Sequence, residues 1–157
     1  HSFKINRENK LYKGLKIIKK KIVSEKDFEN IIVSHNGYQN RYGYIHERSI
    51  KFIKKEKIFL GTDSLIKNEK ANNISYGIRF HIYPGIKIVK TQNFQSILLS
   101  LKNGEGWKFS CNNKEVLIEK GIYLGNKNKV TENENIYIPG ITNGENQIIE
   151  WSFEKIS

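Results

Sequence analysis

The feature that most constrains this chain is the way its apolar residues are distributed, in short runs that are broken by Gly, Asn and charged clusters and that in places alternate strictly with polar residues. A period of two puts successive side chains on opposite faces of an extended strand, and the breaks carry turn-forming residues. Alternation is clean in Trp107-Lys108-Phe109 and in Ile149-Glu150-Trp151-Ser152-Phe153, where the aromatics share one face and the polar residues the other. Such strands bury one face and wet the other. The chain holds 25 Ile, 23 Lys and 18 Asn but one Ala and no Met, a balance that suits sheet and argues against a helical bundle.

Strands are expected near Ser2–Asn6, Leu15–Val23, Asn30–His35, Tyr44–Ile53, Lys57–Leu60, Ser75–Ile82, Ile86–Lys90, Ser96–Leu101, Trp107–Ser110, Val116–Leu124, Asn135–Ile138 and Gln147–Phe153. About twelve short strands in one chain fit an all-β fold, an antiparallel β-sandwich. Asn36-Gly37, Asn103-Gly104 and Asn143-Gly144 offer the positive φ angles of tight connections, and Tyr83-Pro84-Gly85 sets a turn after a strand. Ser24–Glu29 has the makings of a single helical turn, with Ser24 three residues before Asp27. No repeat and no internal linker divides the 157 residues, so residues 1–157 read as one domain. No apolar run approaches the roughly 20 residues that cross a bilayer as a helix.

Lys and Arg number 27 against 16 Asp and Glu, a formal charge of +11. Such a charge attracts polyanions, nucleic acid or acidic polysaccharide, or else it is simply a solvated surface. Only four of the cations are Arg (Arg7, Arg41, Arg48 and Arg79), and no RRM, KH or zinc-finger signature is present, which argues against specific nucleic-acid recognition. The single cysteine, Cys111, can close no bridge within the chain.

Chemistry-bearing residues concentrate in Ser34-His35-Asn36-Gly37-Tyr38 and Arg41-Tyr42-Gly43-Tyr44-Ile45-His46-Glu47-Arg48, then in Gly61-Thr62-Asp63-Ser64-Leu65 and Ile78-Arg79-Phe80-His81. Ionisable groups inside strands cost stability unless paired. One reading joins His46, Asp63 and His81 as a metal site of two imidazoles and a carboxylate. The other makes Arg48, Asp63 and Arg79 an ion-paired cross-strand cluster, with the histidines hydrogen-bonded at its rim. His35 and Tyr38 offer an imidazole and a phenol, which with a cation such as Arg48 supply what β-elimination at a uronate needs: a base, an acid and a neutralised carboxylate. Arg48, Arg79 and Trp107 are candidates for holding an acidic sugar. Trp151, Phe109 and Phe153 can stack sugars too, although aromatics at this spacing equally form core.

In order, His35-Asn36-Gly37-Tyr38, Arg41-Tyr42-Gly43, His46-Glu47-Arg48, Gly61-Thr62-Asp63-Ser64-Leu65, Arg79-Phe80-His81-Ile82-Tyr83-Pro84 and Gly104-Glu105-Gly106-Trp107-Lys108-Phe109 resemble the C-terminal region of bacterial heparinase II/III-like proteins. The later Glu119–Leu124 and Ile149-Glu150-Trp151 fit as well, so the resemblance runs along nearly the whole chain. Asn36, Thr62 and Tyr83 depart from the family's usual Asp, Glu and His. The resemblance implies a portion of a larger β-sandwich that follows an upstream helical toroid domain, absent here, in a polysaccharide lyase of the periplasm or cell envelope. It implies β-elimination on an acidic, uronate-containing polysaccharide, with most catalytic groups upstream and this piece inactive alone. His1-Ser2-Phe3 resembles the segment whose His is in some members a zinc ligand, so His1 would be one part of an incomplete metal site, with zinc a cofactor of the complete protein only. Two other expectations remain open from the residues: a non-catalytic carbohydrate-binding sandwich, and a structural β module.

Overall fold

Alternation at period two becomes strands wherever a dry face can be shared, and the computed structural model bears this out across the residues it describes, 4–5, 11–12, 15–92, 96–112, 115–126 and 129–157. In chain order the elements are β1 (Lys4–Ile5), β2 (Leu11–Tyr12), β3 (Ile17–Ser24), β4 (Phe28–His35), α1 (Gln39–Tyr42), β5 (Tyr44–Ile53), β6 (Ile58–Lys67), β7 (Ser75–His81), β8 (Lys87–Lys90), β9 (Ser96–Ser100), β10 (Gly106–Cys111), β11 (Leu117–Asn126), β12 (Lys129–Ile141) and β13 (Gln147–Lys155). β1 and β2 pair as a short ribbon, while the rest form an eight-stranded sheet, β3-β4-β5-β6-β13-β10-β9-β8, and a three-stranded sheet, β11-β12-β7. Neighbouring strands are antiparallel throughout. The all-β expectation therefore holds, as two stacked sheets of unequal width.

The core lies between the small sheet and the middle of the large one. Ile78, Ile136 and Ile138 from above meet Ile97, Phe109, Ile149 and Trp151 from below. Phe80 of β7 fastens the layers, with its ring centroid 5.1 Å from Phe109, 4.7 Å from Trp151 and 5.5 Å from Phe153. Such tilted and edge-on contacts add to the apolar area removed from water. The aromatics of the alternating runs Trp107–Phe109 and Ile149–Phe153 are thus core-facing residues.

Several local expectations are corrected. Ser24–Glu29 is no helical turn: Ile22 pairs with Ile31 and Val23 with Asn30, so β3 folds directly back as β4 and Glu25 N–H donates to Phe28 O at 2.9 Å. Pairing on both sides of β4 outweighs the weak local helical signal. A four-residue helix appears instead at α1, closed by Gly43, whose φ of 80° lets its N–H reach Gln39 O. The positive φ expected at Asn36-Gly37 therefore falls at Gly43, while Gly104 (φ 87°) closes the β9–β10 hairpin as expected. β6 runs on through Asp63 to Lys67 and β12 begins at Lys129, since each has partners on both sides for much of its length. Among the described residues no helix is long and apolar enough to cross a membrane.

Candidate functional site

Register, more than sequence proximity, assembles the site. β4 pairs with β5 so that His35 faces His46 and Val33 faces Arg48, and β5 pairs with β6 so that Arg48 faces Asp63. Cross-strand partners share a face, so His35, His46, Arg48 and Asp63 lie together on the side of the large sheet that β7 overhangs. Between them is a cleft of about 410 Å³, with Tyr38 and Tyr42 on one wall and Ile74 and the first five residues of β7, Ser75 to Arg79, on the other.

Asp63 is 1% exposed and its carboxylate is fully engaged. Oδ1 accepts from His46 Nε2 at 2.7 Å and Arg48 Nε at 2.7 Å, and Oδ2 accepts from Arg48 Nη2 at 2.9 Å and the Trp151 indole at 2.8 Å. A buried carboxylate survives in the core only with such charge-assisted donors. Burial pushes its pKa up, but the hydrogen bonds from His46, Arg48 and Trp151 and the Arg48 charge outweigh that and hold it below the ordinary carboxylate value.

The two imidazoles extend the chain of bonds, and a single set of tautomers satisfies it. Gly37 N–H donates to His35 Nδ1 at 3.1 Å, which fixes the proton of neutral His35 on Nε2. That proton faces His46 Nδ1 at 3.1 Å, leaving His46 Nε2–H to donate to Asp63. Burial lowers the pKa of His35, and the neighbouring His46 lowers it further. A proton added at Nδ1 of His35 would also confront the Gly37 N–H. His35 therefore has no lone pair free to act as a base.

The other candidates divide. Arg79 lines the same cleft, but its guanidinium donates to Glu119, at 2.7 Å through Nε, and stacks over Tyr137 at 4.4 Å. The expected cluster of Arg48, Asp63 and Arg79 is thus corrected to Arg48, His46 and Asp63, because Arg79 finds its carboxylate across the small sheet. The reading of His46, Asp63 and His81 as a metal site is likewise corrected: His81 Nδ1 bonds Asn135 Oδ1 at 3.0 Å, while His46 and Asp63 bond each other directly. Among the described residues no three His, Cys, Asp or Glu side chains gather as metal ligands. His1 lies outside the described residues. Trp107 sits away from the cleft, its ring 6.1 Å from Phe59, and Trp151 is spent on Asp63. Tyr42, from the chemistry-bearing segment before β5, lines the cleft, and so does Tyr76, which was not singled out. Tyr76 arrives from the other sheet, which no local pattern reveals.

An antiparallel β-sandwich with a buried Asp63 carboxylate held by partly buried His46 and Arg48 under one side cleft is the class that fold and site define. The chain belongs to the heparinase II/III-like, C-terminal family, whose model matches residues 4–152. Its fold is similar to that of the heparan sulfate lyase HepC from Pedobacter heparinus, with a TM-score of 0.76 at 15% identity over 100% of this chain and 24% of that one. It is also similar to a heparinase III gene product, with a TM-score of 0.72 at 13% identity over 99% of this chain and 23% of that one. A further heparinase III gives 0.70 at 13% identity over 99% and 23%. At such identities the likeness shows the fold alone, and the chain spans about a quarter of the length of these lyases. No curated protein matches the sequence.

Proposed function

We propose that this chain is the C-terminal β-sandwich of a polysaccharide lyase acting on uronate-containing glycans by β-elimination, and that it serves there as scaffold and cleft wall while the proton-transfer groups lie elsewhere in the longer polypeptide. Family membership and the lyase-like fold support the first part. The observation that carries the second is the internal satisfaction of the cleft: Arg48 is bound to Asp63, Arg79 to Glu119, and the lone pair of His35 to Gly37. None of the three is left free to neutralise a carboxylate or take the C5 proton of a sugar. The +11 charge brings acidic glycans near without selecting among them. Zinc belongs, on this reading, to the complete protein, with His1 as its ligand from this chain, and the periplasm or cell envelope is the expected compartment.

The test is titration of the chain with heparan-sulfate-like, alginate-like and neutral oligosaccharides at low and physiological salt, following Trp fluorescence together with the ultraviolet absorbance of unsaturated uronate. The expected result is no elimination and only a salt-sensitive response to the acidic glycans. Saturable binding that selects one acidic glycan at physiological salt would place part of the substrate cleft on this chain, and elimination by the chain alone would overturn the scaffold reading.

A further inference from the structure

The chain has three Asn-Gly pairs, Asn36-Gly37, Asn103-Gly104 and Asn143-Gly144, and the fold treats them differently. A glycine after asparagine puts no Cβ in the way when its backbone nitrogen attacks the side-chain amide carbon. That attack needs a glycine N–H free to lose its proton, and it is helped by donors on the amide oxygen, where negative charge develops.

Asn36-Gly37 lacks the first condition, because Gly37 N–H donates to His35 Nδ1 at 3.1 Å. Asn103 and Asn143 make a closer comparison, since each opens the sequence Asn-Gly-Glu. Each side-chain oxygen accepts from the glutamate N–H, at 3.1 Å from Glu105 and 3.2 Å from Glu145, and both glycines have positive φ, 87° and 78°. They part at two points. Gly104 N–H is committed to Leu101 O at 3.1 Å, whereas Gly144 N–H has no partner among the described residues. Asn143 Oδ1 also accepts from Gln147 Nε2 at 2.7 Å, and Asn103 has no such second donor among the described residues. Gln147 is the first residue of β13, paired with Leu65 of β6, so the large sheet holds that donor in place.

We propose that Asn143 is a self-modifying site. Gly144 N loses its proton to solvent base and bonds to Asn143 Cγ, the Cγ–Nδ2 bond breaks, ammonia leaves, and a succinimide closes. Water then opens either ring carbonyl to give aspartate or isoaspartate, so the sum is one water gained and one ammonia lost. The departing Nδ2 makes no hydrogen bond among the described residues. The two donors on Oδ1 hold the charged intermediate more strongly than the neutral amide, which lowers the barrier. The position gives the change a structural reach. Thr142, one residue before, is 1% exposed, and its Oγ1 accepts from Ile74 N–H at 2.9 Å and donates to Asn72 O at 2.8 Å, pinning the segment that leads into the cleft wall. Conversion sets a carboxylate beside this clamp and, as isoaspartate, one more carbon in the main chain. The inference is independent of the lyase reading.

The experiment is peptide mapping by mass spectrometry of the 157-residue chain, kept folded in mildly alkaline buffer, with aspartate and isoaspartate followed at all three pairs. Asn143 should convert first, about two- to tenfold faster than Asn103, which is what one net hydrogen bond is worth as a rate, and Asn36 should also lag behind it. Gln147→Leu should slow Asn143 by about two- to tenfold and leave Asn103 as it was. Gln147→Glu, which keeps the length of the side chain but loses the donor, should slow Asn143 as well. In urea, with the folded contacts gone, the three pairs should converge. Conversion of Asn36 or Asn103 as fast as Asn143 in the folded chain would overturn the proposal. So would an Asn143 rate that neither variant changes, or a lead for Asn143 that persists in urea and so belongs to local sequence alone.

Discussion

Asp63 shows how one residue's surroundings decide what its chemistry is for. Its carboxylate is buried, and four donor contacts from His46, Arg48 and Trp151 hold it ionised. Replacing Arg48 by Met keeps much of the aliphatic stem but strands that charge, and breaking a buried pair in this way costs about 3–5 kcal/mol. Arg79→Ala, by contrast, removes a partner from an exposed pair with Glu119 and should cost no more than about 1 kcal/mol. Thermal unfolding of the two variants checks this directly, and a larger loss for Arg79→Ala would reverse the assignment of which arginine is structural. The same cluster predicts a pH profile. His35 titrates below its ordinary value in the fold, so the unfolded chain takes up protons first as pH drops beneath about 6.5, and that contribution to stability is lost through the folded value. Asp63, also lowered, contributes stability that is full above the ordinary carboxylate range near pH 4 and is lost as pH falls through its own depressed value. The melting temperature should therefore decline in two stages on acidification, and His35→Gln should remove the first.

At the scale of the element, β6 carries the site because it tolerates a large neighbour. Gly61 lies directly opposite Trp151, and a Cβ at Gly61 would come within 2.1 Å of the indole ring. The missing side chain lets Trp151 lie across β6 and donate to Asp63. Gly61→Ala should displace the indole, cost about 1–3 kcal/mol and change Trp fluorescence. An unchanged spectrum and melting temperature would mean that the indole has another way to reach the carboxylate. Gly43 does a comparable service by ending α1 in a left-handed conformation so that the chain can enter β5. Here a Cβ would meet the backbone of Lys70 at 2.3 Å, so the turn is fixed by contact with a distant segment as well as by its own φ.

For the molecule as a whole, the unequal sheets account for both its core and its open side. The three-stranded sheet covers the middle of the larger one, where Phe109, Ile97 and Ile149 are dry, and leaves the β3–β4 end exposed. The sequence by itself determined the all-β class, the place of most strands, the dry faces of β10 and β13, and family membership, because period two, turn residues and an ordered set of motifs are local quantities. It also marked His35, Tyr38, Arg48, Asp63 and Arg79 as belonging to chemistry-bearing segments. What it left open was their partners. Arg79 and Asp63 were equally free to pair on sequence grounds, and only the register of β7 against β12, and of β12 against β11, gives Arg79 to Glu119, just as only the register of β4, β5 and β6 lines up His35, His46, Arg48 and Asp63. The helical turn read at Ser24–Glu29 failed for the same reason, since pairing with β5 beyond β4 stabilises a hairpin that the local residues do not specify. Strands are chosen by local pattern, but a carboxylate's partner is chosen by whatever the sheet places within hydrogen-bonding distance, and that is settled between residues far apart in the chain.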